Sequence, residues 1–449
     1  MAYPVIKYNS STGSDTAPSD CVNSSANTGE TASGSASGTT ITFSSSVDLS
    51  DCSDDDSDWM WCATNSGDIH LFRITAFTTS TDLTAVTAVT VEPAIEANFS
   101  GAAWHVNGTR QTLESDTSNS DLNDWLAGWT AELDGTFVMT AGNTTQFGRN
   151  ISGTTSSDPA INVVRSASAS SRPVVDMRGN HRLLDIRNNA SAYLEGIKLT
   201  STTGGGSGTY IISNGGGLTF VDCVLDVGSG TPTQLIHCRY ASRRLSMIDC
   251  YLKGGTDYVV FGADLVQPMH ISNCWFDCQG TYGSVACLYL DPITTVVTDT
   301  LITESAGDGL QLRPSASWAG SDIQTFIKNL TVADCSGDAL DLTAAQNADT
   351  TPFAIFHVYN CLLVGNGGYA INTDTAGSGI PDRGYVDFNA FYNNTSGNYS
   401  ETALAGANDI TLTADPFTDA ANDDYSLNNT AGGGALLRDA ALYETPDGT

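Results

Sequence analysis

Between Leu194 and Ala390 one six-residue phrase keeps returning, and this recurrence constrains the fold more than any other property of the chain. It reads as an apolar residue, any residue, usually Asp or Asn, usually a small or apolar residue, and two further positions that are mostly apolar. The copies are LEGIKL from Leu194, FVDCVL from Phe220, MIDCYL from Met247, ISNCWF from Ile271, VTDTLI from Val297, IKNLTV from Ile327, VYNCLL from Val358 and YVDFNA from Tyr385. Their starts lie 26, 27, 24, 26, 30, 31 and 27 residues apart. Such a period, carried by β-branched and apolar segments between Gly, Asn and Asp turns, fits a solenoid in which each repeat is one rung buried only against its neighbours. Alternation with period two and Gly-filled linkers argue against a helical repeat.

A second strand falls in each interval: LLDI from Leu183, YIIS from Tyr210, LIHC from Leu235, YVVF from Tyr258, CLYL from Cys287, GLQL from Gly309, ALDL from Ala339 and YAIN from Tyr369. Two phased strands per rung predict parallel sheets running along the stack. Alternation sets one face dry and one wet, with Leu340 in, Asp341 out and Leu342 in.

Cys223, Cys250, Cys274 and Cys361 occupy one place in four rungs, where Ile197 and Leu330 stand in others. They read as small apolar core residues stacked in a ladder. Thiolates one rung apart lie on a line rather than around a tetrahedron, and the chain has no C-x-x-C pair, so the ladder is not read as a metal site. Cys52 and Cys62 are placed to meet across a hairpin. With 11 cysteines and no visible secretory leader, reduced thiols are expected throughout.

The chain carries 18 Lys and Arg against 50 Asp and Glu, a formal charge of -32 spread along its length. That surface repels nucleic acid and anionic membranes, so neither is expected as a partner. The opening MAYPVIKY has no basic segment followed by an apolar stretch, and no run approaches the ~18 apolar residues of a membrane span. The expectation is a protein made in a cytoplasm and delivered without a signal peptide.

Composition divides the chain into five parts. Residues 1–38 form a polar arm behind the apolar stretch Val5-Ile6, with nothing to offset its ordering entropy alone. An arm of this kind is expected to attach to another protein. Residues 39–113 read as a small β-sandwich or barrel. In 114–132 the apolar positions 122, 125, 126 and 129, with Asp121 as cap, predict a short helix that closes the first rung. Residues 133–400 are the solenoid, and 401–449 a terminal strand and cap.

The succession VVDMRGNHRLLDIRNNASAYLEGIKLT, followed by regular D-C and N-C rungs, resembles the right-handed parallel β-helix family of pectate lyases, polygalacturonases and phage tailspikes. The closing DPFTD and DYSLNNTAGGGALL resemble the ends of β-helix proteins of tailed, marine phages. The resemblance implies an all-β, right-handed parallel β-helix. It further implies a virion component: a surface spike, fibre or capsid decoration held by its N-terminal region, homotrimeric, on the virion surface, and able to bind host surface glycans. The rung pattern is specific for fold and weak for function. The rival reading is a polysaccharide lyase or hydrolase of the same fold class.

A hydrolase needs carboxylates converging from adjacent rungs. Asn372-Thr373-Asp374 matches the first polygalacturonase motif, but the other motifs are missing. Asp308 and Asp338, in the matched turns GDGL and GDAL, are placed one rung apart and read as a polar turn ladder or a calcium clamp, with Arg313 the nearest base. No set is complete, so the reading from sequence is a non-enzymatic chain with no catalytic, metal or cofactor residues assigned. Tyr282, Trp318, Tyr385 and Tyr392 are the candidate glycan contacts. The inserted loops RPSASWAGSD and TAAQNADTTP mark the expected receptor face.

Overall fold

The structure is a computed structural model. It describes residues 5–11, 31–47, 59–63, 69–77, 85–92, 97–106, 109–110, 128–138, 149–153, 161–168, 170–176, 184–188, 191–201, 209–214, 216–227, 232–239, 244–265, 268–292, 294–312, 323–342, 354–373, 383–401 and 405–438. These belong to two compact units, residues 1–204 with 215–218, and residues 205–214 with 219–449.

The first unit holds a closed barrel, in the order Thr31–Ser37, Thr40–Val47, Val86–Glu92, Ile69–Phe77, Trp59–Ala63, Ala97–Val106. Its neighbours pair antiparallel, and closure leaves no free edge. Ser37 pairs with Thr40 across a two-residue turn, and Gly38 takes φ 62° at its first position, where such hairpins favour glycine. Ile41, Phe43, Ile74, Val86, Val89 and Val91 fill the interior. The barrel therefore starts at Thr31, inside the segment read from sequence as an arm.

The apolar opening also departs from expectation. Val5–Asn9 is a strand lying parallel between Gly128–Asp134 and Thr109–Arg110. Tyr8 is buried, edge-on to Phe137 at 6.4 Å, and Asn9 Nδ2 donates to Asp134 at 2.8 Å. The stretch expected to seek an outside partner has one in its own chain. The helix predicted for 114–132 lies mostly outside the described residues, and from Gly128 onward that span is strand. Cys21 and Cys52 also lie outside them, as does the loop 51–58.

The second unit is a right-handed parallel β-helix with three sheets. Sheet I contains Arg244–Ile248, Met269–Ser272, Thr294–Thr298, Ile323–Lys328, Ala354–Tyr359 and Arg383–Asp387. Sheet II contains three-residue strands such as Tyr251–Lys253, Trp275–Asp277, Leu301–Thr303, Thr331–Ala333 and Leu362–Val364. Sheet III contains Gln234–Arg239, Tyr258–Leu265, Ala286–Pro292, Asp308–Leu312, Leu340–Asp341 and Tyr369–Asn372. The recurring phrase is thus two strands with a corner between them.

The corner explains the phrase. In six copies an Asp or Asn there takes the left-handed conformation: φ is 50° at Asp222, 57° at Asp249, 51° at Asn273, 51° at Asp299, 53° at Asn329 and 55° at Asn360. Short polar side chains tolerate that region best after glycine, and Gly196 fills it in the first copy. The next residue turns inward, and all four ladder cysteines are buried there as free thiols. Each thiol donates to the carbonyl two residues back, at 3.4 Å for Cys223, 3.2 Å for Cys250, 3.3 Å for Cys274 and 3.5 Å for Cys361. Burial holds the Cys361 thiol up at about 12, the range of an inert core cysteine.

The last copy is shifted by one. Val358 pairs with Val386, so the phrase starts at Val386 rather than Tyr385. Phe388 takes the corner at φ 59°, and Asn389 stands where the cysteine was. Tyr385 points outward, 47 % exposed. The C-terminal hairpin, Phe417–Asp419 with Asp424–Leu427, lays Phe417 and Tyr425 over Ala333, Leu362, Val364 and Tyr392 on the outer face of sheet II.

Candidate functional site

Sheet III carries the most chemistry on its outer face. Its strands are in register, so residues that alternate outward form a single column: His237, Phe261, Tyr289, Gln311, Asp341, Asn372. The first half is aromatic. His237 meets Phe261 edge-on at 4.8 Å, Phe261 stacks on Tyr289 at 4.7 Å, and Tyr258 flanks both at 4.9 and 5.3 Å. The second half is amide and carboxylate.

Turn residues add to this second half. Asp308 Oδ1 accepts the Asp338 N–H at 2.8 Å, and Asp338 Oδ1 accepts the Tyr369 N–H at 2.6 Å. Each carboxylate therefore caps the backbone one rung on, which is the turn ladder read from GDGL and GDAL. Their other oxygens face the column. Gln311 Nε2 donates to Asp341 Oδ2 at 2.7 Å and to Asp308 Oδ2 at 3.3 Å, and Asn372 Nδ2 donates to Asp338 Oδ2 at 2.6 Å.

Gln311 and Asp341 turn away from the core yet are both buried. Asp341 is therefore a bonded, desolvated carboxylate rather than the free surface group its outward parity implied. Burial raises the Asp338 carboxyl, the bonds from Asn372 and Tyr369 pull it back, and the charge of Asp341 adds to the rise. Among the described residues, no three potential ligands gather into a set that would hold a metal ion.

The other residues singled out in the sequence are scattered. Arg313, Trp318 and Asp374 lie outside the described residues, as do the loops 313–322 and 343–352. Asn372 joins the column, whereas its neighbour Thr373 is buried with its N–H on Ser400 Oγ at 2.9 Å. Tyr392 is packed beneath the C-terminal hairpin, and Tyr385 lies 6.5 Å from Tyr359. Tyr282 belongs to a turn beside sheet II. The column itself went unread, although the strand phrases contain it: aligned on their inward residues, LIHC, YVVF, CLYL, GLQL, ALDL and YAIN place H, F, Y, Q, D and N in one file.

No family model and no curated protein matches the sequence. Among solved structures the chain is similar to the catalytic domain of a GH87 alpha-1,3-glucanase variant in complex with nigerose, at 10% identity and TM-score 0.31, covering 89% of this chain and 95% of that one. The same variant with tetrasaccharides gives 9% identity and TM-score 0.23 over 89% and 95%. The glucanase with nigerose gives 9% and 0.24 over 84% and 91%. This is a likeness of fold alone. These solved chains are catalytic domains, against the expectation of a non-enzymatic chain, and that expectation is not carried further.

Proposed function

We propose that the outer face of sheet III binds a glycan and that its carboxylate end hydrolyses it. The observation that carries this is the register-fixed column running from aromatic rings to bridged carboxylates. Aromatic faces stack on the C–H faces of sugar rings, and coplanar amides and carboxylates take their hydroxyls, which is the division of labour a glycan site requires. Gln311 Nε2 bonds both Asp308 and Asp341, which keeps those carboxylates within about 6 Å of each other. Asp338, the carboxyl with the raised affinity for a proton, is the acid in this scheme, and Asp341 beside it the base or nucleophile.

The test is incubation of the purified chain with a panel of neutral and acidic glucans and bacterial surface polysaccharides, read as new reducing ends. Cleavage that is lost in Asp338→Asn and Asp341→Asn while binding persists, and binding that falls in Tyr289→Ala, is the expected result. No binding and no cleavage across the panel overturns the proposal. Val5–Asn9, the apolar stretch expected to anchor an attachment arm, is paired within its own chain.

A further inference from the structure

Gln311 stands at the junction of the sheet III column. Its register partners are Tyr289 on one side and Asp341 on the other, so a ligand meets it where the rings give way to carboxylates. Leu310 and Leu312 beside it are buried in the core, which fixes the strand and aims the Gln311 side chain outward.

The neighbours of its amide decide which way round that group sits. A side-chain amide has two N–H donors on one side and a carbonyl oxygen on the other. Both donors of Gln311 Nε2 are committed, to Asp341 Oδ2 at 2.7 Å and to Asp308 Oδ2 at 3.3 Å. Turned over, the group would set Oε1 against two carboxylate oxygens at those distances, acceptor against acceptor with no donor between them. The amide is therefore held one way round, and Oε1 is the atom it can offer a ligand. Among the described residues nothing donates to Oε1. It is not one of the buried side-chain oxygens that lack a partner either, so it keeps contact with solvent although Gln311 as a whole is only 5 % exposed.

The same one-sidedness runs along this end of the column. The carboxylates of Asp308, Asp338 and Asp341 accept from the Asp338 N–H, the Tyr369 N–H and Gln311, and Asn372 Nδ2 is turned onto Asp338 Oδ2 at 2.6 Å. A ligand group that only accepts, such as a carboxylate, a sulfate ester or an ether oxygen, finds no partner at Gln311. A hydroxyl does, because it brings its own proton.

We propose that Gln311 is a specificity-determining residue of this site: its Oε1 accepts a hydroxyl of the bound sugar, and the site takes neutral glycans with that hydroxyl free in preference to uronates, sulfated glycans and O-alkylated chains. The proposal rests on the glycan reading of sheet III and names the class of glycan. It is a site rule built on donors and acceptors, in which leaving a buried polar group unpaired is what rejects the wrong ligand.

The experiment uses the full chain labelled with 15N-glutamine. It is titrated with laminarihexaose, maltohexaose and cellohexaose, with the per-O-methylated form of each, and with hexagalacturonate, and the side-chain amides are followed by NMR. The Gln311 signals are those lost in Gln311→Met. They should exchange slowly with water and shift when a neutral hexamer binds. That hexamer should bind about tenfold more tightly than its methylated form or hexagalacturonate, and about fivefold more weakly to Gln311→Met. Methylated hexamer or hexagalacturonate bound as tightly as the neutral one overturns the proposal. So does rapid exchange of the Gln311 amide, or unchanged affinity in a folded Gln311→Met. Should that variant not fold, the affinities of the parent chain still decide. Neutral hexamers bound with this preference but left uncleaved support the inference and remove hydrolysis alone, whereas no binding by any hexamer overturns both.

Discussion

The middle rungs and the last rungs of the β-helix fill the same inward position in opposite ways. In the middle it is Cys223, Cys250 and Cys274, each burying a thiol with one weak bond to a nearby carbonyl. At the end it is Asn389, wholly buried, which accepts the Cys361 N–H at 3.0 Å and donates to the Val358 carbonyl at 3.0 Å, while its own N–H reaches Asp409 at 2.8 Å. Asn366 repeats the pattern, accepting the Cys335 N–H and donating to Asn394. The middle is held by burial, which tolerates substitution by size. The end is held by a closed hydrogen-bond circuit, which tolerates almost nothing, because each member removed strands another.

Asn389→Ala should be the most damaging change to this position. It strands the buried Cys361 N–H and the Val358 carbonyl, each at about 1–3 kcal/mol, and loses the packing of the side chain besides, so it should cost more than Ile271→Ala in the middle rungs, itself expected at about 2–5 kcal/mol. Urea unfolding of the two variants, with the reverse order observed, would break the contrast. Cys274→Ala should cost only ~1 kcal/mol, since one sulfur and one weak bond go. The same thiol in the native chain should stay unmodified by a thiol reagent until urea is added. Asp334→Asn should act least and only by pH. Burial and Asp415 raise its carboxyl in the folded state, so the folded chain holds that proton more tightly than the unfolded one. Its contribution is therefore favourable at low pH and is lost as pH rises from the unfolded carboxylate value through the raised one. The variant should melt slightly above the parent at neutral pH and match it at pH 3; a parent more stable than the variant at neutral pH would reverse the sign.

Much of the fold was legible because the corner imposes a chemical demand at a fixed place. Asp and Asn recur at φ near 55° since few other residues sit there cheaply, and the inward neighbour is buried, whether Cys, Ile or Leu. Sheet II was not legible as a sheet. Its strands are three residues long, too short to display alternation, and the corner resets parity just before each begins. The shift at Tyr385 escaped for a related reason: Phe388 occupies a corner that favours Asp or Asn, so the phrase matched one residue early. At the candidate site, the turn carboxylates Asp308 and Asp338 were visible through their matched glycines. The column beside them was not, because outward residues obey no packing rule and differ in type from rung to rung. Which rings and carboxylates share a face became readable only once the register was fixed.

The strand Val5–Asn9, lodged between Thr109–Arg110 and Gly128–Asp134, bears on how the chain reaches its folded form. It cannot take its place until more than a hundred later residues have been made and its partners have formed. Closing a loop of that size costs only slowly more as it lengthens, but it must be met before any contact rewards it. Docking of this strand is thus expected among the last events of folding. Until then the strand edge it will cover stands open, and a neighbouring chain's own Val5–Asn9 can enter in its place, exchanging this strand between two copies at high concentration.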